Sequence, residues 1–180
     1  MEGGCKALIT TSRSPSKRTR ELVNDLVNSL PGVKKIVRGK RSFVDLLEEA
    51  VQCGARHLVL IWERRGMPYA ILFYDVAQRR WEPYALKIAG VRSRRDFPAF
   101  VARRPPAKTA VVVDLAQSEV GEIFSEIFGY PLLYGLDVRG FDTIILVRRG
   151  DGHLVVEFLG PDLGPRASSI KVAKVVYRRV

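Results

Sequence analysis

Hydrophobic and polar positions along the chain switch between two periods, and the switches mark most of its elements. Leu8-Ile9-Thr10-Thr11 is a short apolar strand running into the hydroxyl-rich stretch Ser12-Arg13-Ser14-Pro15-Ser16. Ser14 or Ser16 can cap a following helix, and Pro15 suits its first turn, where a missing N–H costs no bond. Leu22, Val23, Leu26, Val27 and Leu30 then recur at helical spacing until Pro31-Gly32. Val33 to Val37 reads as a short strand and Arg38-Gly39-Lys40-Arg41 as a basic loop. Ser42 with Asp45 is close to a capping box and opens a second helix that buries Phe43, Leu46, Leu47, Ala50 and Val51 and stops at Gly54.

Beyond Gly54 the period shortens to that of strands. Leu58 to Trp62 is a continuous apolar run, as expected of a strand covered on both faces. A turn at Arg64-Arg65-Gly66-Met67-Pro68 leads to a strand over Tyr69 to Tyr74, and another follows from Trp81 to Ile88. Gly90 to Lys108 carries six Lys or Arg residues and three prolines and reads as a linker. Ala110 to Leu115 resumes as a buried strand. Ser118 is then expected to cap a helix whose inner face is Val120, Ile123, Phe124, Ile127 and Phe128, ending at Gly129-Tyr130-Pro131. Thr143 to Val147 and Leu154 to Leu159 form a hairpin around Arg148-Arg149-Gly150-Asp151-Gly152, and Ile170 to Tyr177 is the last strand. This hairpin mirrors Leu58 to Tyr74, down to an Arg-Arg-Gly turn in each. The fold class is therefore α/β: an internally duplicated α/β unit, mixed sheets with helices packed on them. The expected organisation is a single domain over 1–180, with an N-terminal half 5–90, a basic linker 91–108 and a C-terminal half 109–180. No match to Thr10–Ser16 is evident in the second half.

Charge adds the functional direction. The formal net charge is +11, with 30 Lys and Arg against 19 Asp and Glu. Nine of the cations and only two acids fall between Arg13 and Arg41, a net +7 over 29 residues. Such an excess favours polyanionic partners, nucleic acid before membrane surfaces. No apolar run approaches the ~20 residues of a bilayer span. Met1-Glu2-Gly3-Gly4 lacks the basic and apolar regions of a secretory signal. A cytoplasmic location is expected. Cys5 and Cys53 match no zinc spacing and are expected to behave as small apolar residues. Asn is limited to Asn24 and Asn28 beside abundant Arg, Lys and Glu, a pattern that points to a high-temperature source.

The turn before the first helix concentrates the chemistry. Lys17, Arg18 and Arg20 oppose the positive end of the helix dipole, a conflict that an anion bound there would relieve. The segment Ile9-Thr10-Thr11-Ser12-Arg13-Ser14-Pro15-Ser16 resembles the opening signature of the Brix-domain family of ribosome-biogenesis proteins, and the order of elements resembles that family to about the end of the chain. The lack of long tails is similar to the short archaeal members. The resemblance implies a Brix-like fold of two related halves, and binding to precursor rRNA or a pre-ribosomal particle without catalysis. Other ribosome-assembly proteins are further expected partners, a membrane is not, and a monomer is expected.

From the residues, the expected phosphate contacts are Thr10, Thr11, Ser12, Arg13 and Ser16. Lys17, Arg18, Arg20, Lys34, Lys35, Lys40 and Arg41 would supply the surrounding field. The strand aromatics Trp62, Tyr69, Phe73, Tyr74, Trp81 and Tyr84 lie in no RNP-type motif and are expected in the core. No P-loop, GxSxG, HExxH or paired-cysteine motif is present, and His57 and His153 have no evident partner. No catalytic residue, metal or cofactor is expected. Two alternatives remain open: a docking module for acidic ribosome-assembly proteins, and a phosphoester hydrolase using the Ser12–Arg13 turn.

Overall fold

The computed structural model describes residues 4–179, so Met1 to Gly3, read above for a secretory signal, and Val180 lie outside it. Ten strands form one sheet: β1 (Ala7–Thr11), β2 (Val33–Lys35), β3 (His57–Arg64), β4 (Met67–Asp75), β5 (Arg80–Arg92), β6 (Ala110–Asp114), β7 (Leu132–Leu133), β8 (Thr143–Arg149), β9 (Leu154–Leu159) and β10 (Ser169–Tyr177). The helices are α1 (Lys17–Ser29), α2 (Phe43–Cys53) and α3 (Glu119–Phe128). None is long and apolar enough to cross a membrane.

The strand order is β2-β1-β3-β4-β5-β10-β9-β8-β6-β7. Exchanging the first five strands with the last five, in chain order, maps this arrangement onto itself. The duplication is therefore visible as two like-ordered arrays that meet where β5 and β10 pair antiparallel. In each array the first strand lies between two parallel neighbours, β2 and β3 beside β1, β7 and β8 beside β6. Helices α1 and α3 occupy equivalent crossovers. Helix α2 has no counterpart, which makes the halves unequal in a place other than the turn.

Side-chain alternation explains the layers. Ala7 and Ile9 of β1 join Val59 and Ile61 of β3, Leu22 and Leu26 of α1 and Phe124 and Phe128 of α3 in one large core on the inner face of the sheet. Leu8 and Leu58 point the other way, against Leu46 and Ala50 of α2. Both faces of β1 are thus buried, in keeping with its apolar start Ala7-Leu8-Ile9, and Thr10 and Thr11 are buried with it. In the second half, Val111, Val113 and Ile144 on the outer face are covered by Val138 and Phe141.

Local signals act as expected at several ends. Ser42 and Asp45 form a reciprocal capping box, and Gly54 ends α2 in the left-handed conformation with φ 77°. Ser118 does not cap α3 with its side chain. The buried Asp114 carboxylate instead fixes the turn that leads into α3, accepting the N–H groups of Ala116 (3.0 Å) and Ser118 (2.8 Å). Gly121 permits that approach, because a Cβ there would lie 2.3 Å from Asp114 Oδ2.

Two further readings are corrected. Strand β5 extends to Arg92, into the segment read as linker, because β10 pairs with it as far as Ser169–Arg92. The remainder is pinned down rather than loose: Arg94 pairs with Asp25 at 3.1 Å, Arg104 with Asp162 at 2.9 Å, and Ala107 N–H donates to the Asn28 carbonyl at 3.0 Å. The cysteines are not free. Cys5, ahead of β1, and Cys53, at the end of α2, form a disulfide. Sequence cannot reveal this, since the pairing depends on α2 folding back over β1.

Candidate nucleic-acid interface

Strands β1 and β2 run parallel, and α1 runs back from the end of β1, so the start of α1 and the loop after β2 meet at one end of the sheet. Between them lies a small cleft of about 120 Å³, lined by Thr11, Pro15, Arg20, Lys35, Arg38 and Gly39, among others. Lys35 is held over it by a 2.8 Å bond to Asn24 of α1. The Arg38 Nε is buried without a partner.

Of the nine cations between Arg13 and Arg41, Lys17 pairs loosely with Glu21 at 3.9 Å and Arg41 pairs with Glu49. Among the described residues, Arg13, Arg18, Arg20, Lys34, Lys35, Arg38 and Lys40 form no ion pair. Several basic positions elsewhere behave differently, since Arg94, Arg104 and Arg148 all meet carboxylates. Most of the other described basic residues outside the window are likewise without an ion pair, so what distinguishes this end is the density of its cations, nine within 29 residues. The structure also divides the set. Lys35 is paired in register with Ile9, on the inner face, and Lys34 with Leu8, on the outer face. Lys34 does not join the cleft. Arg18 points toward the β3–β4 hairpin, with Nη1 3.5 Å from the Met67 sulfur.

The hydroxyl turn departs from expectation. Thr10 and Thr11 are 1% and 6% exposed, so Thr10 contacts no ligand in this conformation and Thr11 offers only a wall of the cleft. Ser16 is the N-cap of α1 and accepts the Thr19 N–H at 3.2 Å. The anion at this helix start is internal. The Glu63 carboxylate, from the end of β3, accepts the Ser16 N–H with both oxygens (2.9 and 3.0 Å) and the Thr19 hydroxyl at 2.6 Å. Burial pushes the Glu63 carboxyl up, but the bonds from Ser16 and Thr19, with the Arg20 charge, prevail and hold it below the usual carboxylate range. The conflict between three cations and the helix dipole is thus resolved by a side chain 47 residues away from Ser16, which no local pattern shows. Ser12 Oγ accepts the Glu63 N–H at 3.1 Å, a bond that ties the turn to β3 rather than one that prepares a nucleophile. The exposed members of the expected set are Arg13, Lys17, Arg18, Arg20, Lys34, Lys35, Lys40 and Arg41.

Other candidates resolve simply. His57 does have a partner, Glu82 at 3.3 Å, and with Asp75 these side chains converge near the start of β3. Phe73 and Tyr74 are buried, while Trp81 and Tyr84 pack at the edges of the two larger cores. Trp62 does not follow its neighbours: it is 49% exposed.

This architecture has close relatives. The chain is 71% identical, over the full length of both proteins, to a probable Brix domain-containing ribosomal biogenesis protein of Pyrobaculum aerophilum. It belongs to the Brix domain-containing ribosomal biogenesis proteins. No protein-family profile matches the chain. Among solved structures, the Brix architecture is shared with a probable ribosomal biogenesis protein from Aeropyrum pernix K1, at 27% identity and a TM-score of 0.75, covering 95% of this chain and 97% of that one. An archaeal Imp4-like protein has the same fold at 23% identity and a TM-score of 0.67, covering 95% and 99% of the two chains. The segment Ile9 to Ser16 is the junction where β1, α1 and the β3–β4 hairpin are tied by the Ser12–Glu63–Ser16 bonds.

Proposed function

We propose that this Brix protein is a non-catalytic, monomeric assembly factor of the cytoplasm that binds precursor rRNA, or an assembling ribosomal particle, through the basic end of its sheet. The observation that carries the reading is the group of cations without ion pairs, Arg20, Lys35 and Arg38, that line one cleft. Such a surface holds phosphates electrostatically, and phosphate contacts position an RNA without reading its bases.

The test is binding of the purified protein to precursor rRNA fragments and to unrelated RNA across a salt series. Affinity is expected to fall steeply with salt, and Arg20→Ala/Arg38→Ala is expected to give a shallower slope. For single-stranded RNA, the slope should fall by about 0.7 for every phosphate that the variant no longer neutralises. Equal slopes in the variant and the parent would overturn the assignment of this surface.

A second reading, docking of a ribosome-assembly protein, has an observation of its own. Val44 and Val51 of α2 are 62% and 59% exposed and, with Leu47 and Val76, line an apolar groove. Capture of an assembly protein that is abolished in Val44→Asp/Val51→Asp, but not in the Arg20/Arg38 variant, would favour it.

A further inference from the structure

The outer face of the sheet is only partly covered, and its cross-strand rows can be followed in order away from α2. The first row, Leu58 and Tyr74 leading to Trp81, lies beneath α2. The second, Leu60–Leu72–Ala85–Val176, is apolar and opens toward β10, where Val176 is 41% exposed. The third is Trp62–Ala70–Lys87–Lys174, crossing β3, β4, β5 and β10. Residues directly opposite one another in a sheet share a face. At about 4.8 Å per strand, Trp62 and Lys174 are roughly 14 Å apart along this row.

Three features of the third row need an explanation beyond folding. The first is the exposed indole of Trp62, beside Ala70, which is too small to cover it. The second is Lys87 directly opposite Lys174, a like-charge pair that destabilises a sheet unless an anion lies between. The third is the bulge at Trp62/Glu63, which places Tyr69 between two cations, with Arg64 5.5 Å and Lys87 5.8 Å from its ring centre. Among the described residues, Arg64, Lys87 and Lys174 form no ion pair. An aromatic platform flanked by unneutralised cations on an open sheet face is the arrangement by which unpaired nucleotides are held: bases stack, phosphates lie on the cations.

We infer that the Trp62–Ala70–Lys87–Lys174 row is a second RNA contact, which takes an unpaired segment by stacking a base on Trp62 and setting its phosphates against Arg64, Lys87 and Lys174. The inference rests on the RNA-binding reading above and gives it a chemical preference, single strand over duplex. The Arg18–Met67 contact places the hairpin tip beside the basic start of α1, so one RNA can touch both surfaces around the same end of the sheet.

The chain has two tryptophans, and Trp81 stacks on Phe43 at 5.3 Å within the α2 core, which makes Trp62 the reporter. Titration with single-stranded octanucleotides of uridine and adenosine is expected to quench the emission. Trp62→Ala is expected to weaken binding on the order of tenfold to a hundredfold, with Trp62→Phe keeping most of it. Lys87→Gln/Lys174→Gln is expected to flatten the salt slope, and duplex RNA of the same length to be indifferent to Trp62→Ala. Inorganic polyphosphate, which has charge but no bases, should also bind Trp62→Ala and the parent equally. If single-strand affinity is unchanged in Trp62→Ala but falls in Arg20→Ala/Arg38→Ala, this inference is overturned and the RNA reading stands. If the parent binds no RNA, both fall. A Trp62 response to an acidic peptide and not to RNA would overturn the choice of nucleic acid.

Discussion

Replacing Glu63 tests whether an internal carboxylate organises the turn between β1 and α1. Glu63→Ala removes the acceptor of the Ser16 N–H and of the Thr19 hydroxyl, and leaves the cations of the α1 start facing the helix dipole without a counter-charge. A hydrogen bond to a charged group contributes about 1.5–3 kcal/mol, and a lost helix cap typically costs about 1 kcal/mol. Glu63 is half-buried and Ser16 Oγ still caps Thr19, so the expected loss is near the lower end, about 1.5–2 kcal/mol. Glu63→Gln should lose less, because one acceptor oxygen remains. Guanidinium unfolding at 25 °C, followed by circular dichroism, measures the shift in midpoint at unchanged m-value. The pH dependence is the sharper check. A carboxyl held below its unfolded value stabilises above the unfolded pKa of about 4.3, and that contribution is lost as pH falls through the folded value. The gap between parent and Glu63→Ala should therefore be full at pH 7 and narrow below pH 4. A gap under 0.5 kcal/mol at pH 7, or one that is the same at pH 3, would refute the role given to this carboxylate.

Opening the Cys5–Cys53 bond, which closes a separation of 48 residues, is expected to cost about 4 kcal/mol by chain entropy, read as the difference in unfolding free energy between the parent and Cys5→Ala/Cys53→Ala. A difference below 1 kcal/mol would mean that the loop is already constrained in the unfolded chain. Gly121→Ala should force Asp114 away from α3 and lower stability by more than about 2 kcal/mol, against the roughly 1 kcal/mol gained at an ordinary interior helix site. Nearly full stability in Gly121→Ala would show that Asp114 can move. Arg94→Ala, which removes the ion pair to Asp25 and the bonds to the Val101 and Ala102 carbonyls, should expose the 93–109 segment to limited proteolysis before the sheet unfolds.

The sequence by itself determined the elements and many of their ends. Helical spacing in Leu22 to Leu30, the Ser42–Asp45 box and the glycine at position 54 act over three or four residues, so their physics is contained in a short window. The duplication was legible for the same reason, as a repeated hairpin with an Arg-Arg-Gly turn, and the basic window from Arg13 to Arg41 needed only counting. What the tertiary structure decided is which groups meet across long separations. It put Glu63, not an external phosphate, at the start of α1, buried Thr10 and Thr11, and brought Cys5 to Cys53. It also split Lys34 from Lys35, because neighbours on a strand face opposite ways. The row of Trp62, Lys87 and Lys174 draws on β3, β5 and β10, and only strand register aligns it. Burial follows from which layer covers each face: α2 shields Leu58 and ends before Trp62, so two residues of one apolar run share an environment in sequence and not in space.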